Sequence, residues 1–112
     1  MNCIFCSIAK KKASAEIVYE DDQLVAFKDI NPKAPVHILI IPKEHIASVN
    51  DLTEINEPLL GQMIIRAKAL AVKSKIARSG YKLVLNCGRD AGQLVDHLHL
   101  HLLGGGPLDG IA

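Results

Sequence analysis

Residues 97–101 read His-Leu-His-Leu-His, three imidazoles placed two residues apart. Successive side chains of an extended strand point to opposite faces, so His97, His99 and His101 line one face and Leu98, Leu100 and Leu102 the other. The leucines supply the buried face a strand needs. The opposite face then carries three groups that titrate near neutrality, a pattern that points to metal binding, proton transfer or nucleophilic chemistry. Neighbouring histidines lie roughly 6.5–7 Å apart along a strand and the outer pair roughly 13 Å apart. Zinc takes imidazole nitrogens at about 2.0–2.1 Å. Two neighbours can converge on one ion, but a straight strand does not bring all three to it. At least one histidine is left for another role. A neutral imidazole is a competent nucleophile toward phosphorus or acyl centres, and a second imidazole can hold its tautomer or bind developing charge.

The elements that must position this strand can be read in order. Asn2 to Lys12 predicts a short helix with Ile4, Phe5 and Ile8 inward. Glu16–Tyr19 and Leu24–Lys28 read as strands joined by an acidic turn, Glu20-Asp21-Asp22-Gln23. Two prolines make Asp29 to Pro35 a loop. Val36 to Ile41, closed by Pro42, is apolar almost throughout and predicts a central strand covered on both faces. Asp51 and Thr53 are candidate N-caps, and Pro58 suits the first turn of a helix. That helix is expected to run to about Arg78, before Gly80, with Leu59, Leu60, Met63, Ile64, Ala67, Leu70, Ala71 and Ile76 as its apolar set. Tyr81–Asn86 alternates as a strand, Cys87–Gln93 is a glycine-containing loop, and Gly104-Gly105-Gly106-Pro107 ends the histidine strand before a short tail. The expected fold is α+β: residues 1–112 form a single domain on a five-stranded antiparallel sheet, with one long helix and a short N-terminal helix.

A chain of 112 residues with 49% hydrophobic residues suffices for one core, an aliphatic one, since it holds two Phe, two Tyr and no Trp. Its 13 basic and 12 acidic residues leave a net charge of +1, which gives no pull toward nucleic acid or a membrane surface. No apolar run reaches the roughly 18 residues of a spanning helix, and the N-terminus lacks a signal-peptide pattern. Three cysteines, Cys3, Cys6 and Cys87, are an odd and sparse set, expected in a reducing cytoplasm.

His97-Leu-His99-Leu-His101-Leu-Leu resembles the signature of the histidine-triad (HIT) family, specifically its Hint branch of nucleotide-binding proteins. The likeness extends to Ile4-Phe5, Asp29-Ile30-Asn31-Pro32, Ala34-Pro35-Val36-His37, Ile40-Ile41-Pro42-Lys43, Asn86, Gly92-Gln93 and Leu102-Leu103-Gly104-Gly105. The resemblance implies hydrolysis of the P–N bond of purine nucleoside 5′-phosphoramidates, such as AMP–amine conjugates, through a nucleotidyl-histidine intermediate. It makes His99 the nucleophile, His101 a phosphate contact and His37 a support of the histidine network. Asp29 would accept from the ribose hydroxyls, and Phe5, Ile8, Phe27 and Ile30 would form a slot for the base. Asn86, Gly92 and Gln93 would bind the phosphate side. Leu94 stands where the branch usually carries a polar residue that assists the leaving group, and Asp96 replaces an aromatic. The tail after Pro107 is short, leaving less chain to complete a neighbour's pocket. A homodimer is implied as well, with the long helix and a strand against the twofold mate.

Cys3 and Cys6 form a Cys-x-x-Cys that reads either as two free thiols or as half of a zinc site. Some bacterial members of the family resemble this chain in pairing it with the histidine after Pro-Lys and with the first triad histidine. The resemblance thus implies a structural zinc held by Cys3, Cys6, His45 and His97, with no metal required for catalysis. Competing readings are a dinucleoside polyphosphate hydrolase, a catalytically weak nucleotide-binding module, and a zinc hydrolase that uses the triad as ligands; the strand spacing disfavours the last.

Overall fold

The computed structural model describes residues 3–110; Asn2, expected to open the first helix, and the last two residues of the tail lie outside them. Helix α1 (Ile4–Ala9) is followed by strands β1 (Ile17–Glu20), β2 (Leu24–Lys28) and β3 (Val36–Pro42), helix α2 (Glu57–Lys73), β4 (Tyr81–Leu85) and β5 (Leu100–Gly104). The five strands form one antiparallel sheet in the order β1-β2-β3-β5-β4. The expected fold class is the one observed.

Alternation along β3 divides the interior in two. Ile38 and Ile40 pack with Leu24, Ala26, Leu98, Leu100 and Leu102 against Met63, Ala67, Leu70 and Ala71 of α2. Leu39 and Ile41 point the other way, onto Phe5 and Ile8 of α1 with Val25 and Phe27. The central strand is covered on both faces, as its continuous apolarity predicts. Burying each leucine of residues 98–102 on the α2 side turns the interleaved histidines toward the α1 side. His101, on β5, stays half-buried although His37, Leu39 and His99 beside it are buried.

Four expectations change. β5 begins only at Leu100, so His97 and His99 lie in the irregular segment before the strand, and the three histidines do not share one regular strand. Ile4 points outward, since a six-residue helix has one inward stripe and Phe5 and Ile8 fill it. α2 stops at Lys73, not near Arg78. Lys75 takes the left-handed conformation (φ 62°), while Ile76 N–H donates to the Ala71 carbonyl and Lys75 N–H to that of Val72. This is a Schellman ending with lysine in glycine's usual place. It is driven by Ile76, which leaves the helix axis to enter the α2 core. Upstream, Thr53 caps a short 3-10 turn that leads into α2, and the Asp51 carboxylate accepts from Ser48 Oγ instead of capping the helix.

A left-handed backbone costs a side-chain-bearing residue about 1–2 kcal/mol, part of which glycine's larger unfolded-state entropy offsets. Lys75→Gly should therefore raise unfolding stability by about 0.5–1 kcal/mol in urea titrations. A loss of stability would contradict the assignment of this ending.

Candidate active site and metal centre

Main-chain groups give each triad histidine its own tautomer. Nδ1 of His99 lies 2.6 Å from the main-chain oxygen of His97. A carbonyl only accepts, so His99 carries its proton on Nδ1 and presents a bare lone pair at Nε2. Nε2 of His97 lies 2.8 Å from the Pro42 carbonyl, so His97 is protonated there and its bare nitrogen is Nδ1. Lys33 N–H donates to Nδ1 of His37 (3.0 Å), which puts the His37 proton on Nε2, 2.9 Å from Nδ1 of His101. His101 accepts there and has Nε2–H left to donate. Among the described residues, the two outcomes at the site are one free lone pair, on His99, and one free N–H, on His101, with ring centroids 5.0 Å apart.

Asp29 supports this chain of rings. Its Oδ1 accepts from Asn31 N–H at 2.8 Å, and its Oδ2 sits 3.4 Å from Nε2 of His37. Burial, then the positive ends of His99 and His37, push the His101 pKa down to about 4, outweighing Asp29. Burial likewise lowers His37 against the opposing pull of Asp29. Both rings stay neutral at pH 7, which the accept-then-donate chain from Lys33 to His101 requires.

A second cluster lies on the far side of His97. Cys3 Sγ, Cys6 Sγ, His45 Nδ1 and His97 Nδ1 all lie within 4.8 Å of one another. A tetrahedral zinc with Zn–S of about 2.3 Å and Zn–N of about 2.0–2.1 Å sets its ligand atoms roughly 3.3–3.8 Å apart. The sulfur–nitrogen separations are 3.3 Å (Cys3–His97), 3.5 Å (Cys6–His97) and 3.2 Å (Cys6–His45). The second ring nitrogen of His97 is already held by the Pro42 carbonyl, as a metal-bound imidazole's is. Cys3 also caps α1, its sulfur accepting from Cys6 N–H at 3.4 Å. The residues present fit a closed, structural zinc. Burial, then the hydrogen bond and charge of Cys3, raise the Cys6 pKa, so metal binding must displace that thiol's proton.

The other residues singled out in the sequence are dispersed. Phe5, Ile8 and Phe27 are buried in the α1 core, with Phe5 edge-on to both His97 (5.9 Å between centroids) and His99 (5.1 Å). Ile30 is 90% exposed and Leu94 93% exposed. Asn86 donates to the Ala91 carbonyl. Gln93 is buried and fully engaged: its Oε1 accepts from Gly88 N–H, and its Nε2 donates to the carbonyls of Ala47 and Val95. Gly92 has φ 83° and open space around it, so the turn itself requires glycine there. Two surface grooves, of about 320 and 430 Å³, are lined by residues 11–17 and by the start of α2 with Lys43, away from the triad. The groups sequence reasoning missed are main-chain ones, Lys33 N–H and the carbonyls of Pro42 and His97, which leave no mark in residue type.

An antiparallel α+β domain with a histidine relay beside a Cys2His2 cluster defines the class of protein. A family model described as "Scavenger mRNA decapping enzyme C-term binding" matches residues 2–107. The purine nucleoside phosphoramidase of Escherichia coli K12 is 49% identical over 105 residues, covering 94% of this chain and 88% of that protein. Protein HitA of Neisseria gonorrhoeae is 47% identical over 103 residues, covering 92% and 95%. The crystal structure of a HIT family hydrolase from Legionella pneumophila superposes with a TM-score of 0.95 at 48% identity, covering 96% of each chain. The chain belongs to the histidine-triad family.

The lowered His101 pKa has a thermodynamic consequence. The unfolded chain protonates this histidine near pH 6.5 and the folded chain only near 4. Below pH 6.5 the unfolded state therefore binds the extra proton, and stability falls as pH drops toward 4. His101→Asn should flatten that part of the Tm-against-pH curve relative to wild type. Parallel curves for the two proteins would contradict the assigned shift.

Proposed function

We propose that the protein hydrolyses the P–N bond of purine nucleoside 5′-phosphoramidates, with His99 as nucleophile. The observation that carries this reading is the bare Nε2 of His99, fixed by the 2.6 Å hydrogen bond of Nδ1 to the His97 carbonyl. The phosphoramidase activity named for the Escherichia coli relative, 49% identical, supports the substrate class.

In this mechanism Nε2 of His99 attacks the α-phosphorus, the N–P bond forms, and the P–N bond to the amine breaks with its electron pair going to the amine. The His97 carbonyl, accepting from Nδ1–H, stabilises the positive charge that develops on the ring. His101 donates Nε2–H to a phosphate oxygen. Held neutral by its low pKa, it offers this hydrogen bond without titrating during turnover. Water then attacks phosphorus, frees His99 and releases the nucleoside monophosphate. Asp29 would take the ribose hydroxyls and orient His37, while Phe5, Ile8, Phe27 and Ile30 would border the base. Asn86, Gly92 and Gln93 would frame the phosphate loop, with Gln93 holding the loop's shape. Leu94 has no proton to give, so the departing amine takes its proton from water.

Zinc on Cys3, Cys6, His45 and His97 would tie α1 to the sheet and supply no step of the reaction. A homodimer is supported by the exposed Ile64, Ile65 and Val72 of α2, an apolar face that the described residues leave uncovered.

The test is amine release from an adenosine 5′-phosphoramidate. His99→Ala should lose activity by about 10³-fold or more while still binding AMP. Undiminished turnover in that variant would overturn the assignment, and loss of wild-type turnover in chelator with the fold intact and no metal-linked change at His99 would favour a metalloenzyme. Metal analysis of protein purified without added zinc should give about one equivalent per chain, reduced by Cys6→Ser; a metal content that ignores this substitution would remove the zinc site.

A further inference from the structure

His97 belongs to both clusters, and the connection runs through atoms that position the nucleophile. Its ring offers Nδ1 to Cys3, Cys6 and His45, while its main-chain oxygen holds Nδ1–H of His99. Its segment is clamped to residues 42–46 by two hydrogen bonds, from the His97 ring to the Pro42 carbonyl and from Leu98 N–H to the Ile46 carbonyl. A metal shared by His45 and His97 would add a third tie between the same two segments. It would also pull in α1, because Cys3 caps that helix and Cys6 lies within it. Between those cysteines, Phe5 stands edge-on to both the His97 and the His99 ring.

We infer that the Cys3–Cys6–His45–His97 centre is a positioning device for the nucleophile, acting through the His97 main-chain oxygen and the Phe5 ring to hold His99 in one tautomer and orientation. The inference rests on the zinc and His99 readings above. It adds that metal occupancy sets the competence of the active site although the metal touches no substrate. A displaced His97 carbonyl frees Nδ1 of His99, and the ring can then place its proton on Nε2, where it is no longer a nucleophile. A misplacement of about 1 Å at a reacting group can cost about 100-fold in rate.

The test uses full-length protein labelled with ¹⁵N at histidine, at one fixed pH, zinc-loaded and then stripped with a chelator. Long-range ¹⁵N–¹H spectra read the His99 tautomer, and phosphoramidate hydrolysis reads kcat and KM. In zinc-loaded protein His99 should show Nδ1–H alone. The stripped protein should show a second tautomer and a kcat lower by about tenfold or more, with KM changed less than about twofold. If stripping unfolds the protein, the zinc-loaded Phe5→Leu variant carries the test. It should keep its zinc and lose the single tautomer, a change that a merely structural metal would not transmit. An unchanged His99 tautomer in folded apoprotein, or in Phe5→Leu, overturns the inference, as does failure of the protein to bind zinc. If zinc-loaded protein turns over no phosphoramidate, the proposed activity fails by itself and the tautomer signal still decides the coupling.

Discussion

The site depends on main-chain groups that decide which nitrogen of each histidine carries a proton. Imidazole has two nitrogens of similar basicity, so an unconstrained ring divides its population between tautomers. Here the carbonyls of Pro42 and His97 and the N–H of Lys33 remove that freedom. Three chemically identical side chains thereby come to differ: His97 is left with a bare Nδ1, His99 with a bare Nε2 and His101 with an Nε2–H to donate. The sheet makes this specialisation possible. With Leu98, Leu100 and Leu102 locked into the α2 core, a one-residue slip would turn the histidines into that core and the leucines toward the α1 side, so the packing that fixes the register also fixes where the histidines point.

Much of this was legible in the sequence because it rests on alternation. The apolar run of β3, the leucine–histidine alternation and the proline-bounded loops are period-two and breaker signals. They survive into the structure almost unchanged. The departures have local causes. The end of α2 was misplaced because Lys75 adopts a backbone conformation ordinarily marked by glycine, at the demand of Ile76. The start of β5 was placed too early because alternation of side chains continues through His97 and His99 without ladder pairing. Ile4 was expected inward because a six-residue helix offers too few positions to define a stripe.

The proposed metal-ligand set illustrates a different limit. Cys3 and Cys6 announce themselves by spacing, but His45 and His97 are 39 to 94 residues away from them, and only the fold brings the four together. Resemblance to known proteins named the set; geometry then supplied sulfur–nitrogen distances that suit a tetrahedral ion. The residues proposed to border the base show the opposite case. Phe5, Ile8 and Phe27 are core residues first, and any contact with a nucleotide would be made by their exposed edges. One residue type serves packing and recognition, and composition alone does not separate them.

The central claim is that His99, and neither of its neighbours, forms the bond to phosphorus. Rapid acid-free quench during turnover of an adenosine 5′-phosphoramidate, followed by peptide mass spectrometry, measures it directly. The account predicts an adenylyl group on the peptide containing residues 97–101, with fragmentation placing it on His99 and no adduct in His99→Ala. An adduct on His97 or His101, or sustained hydrolysis by His99→Ala, would contradict it.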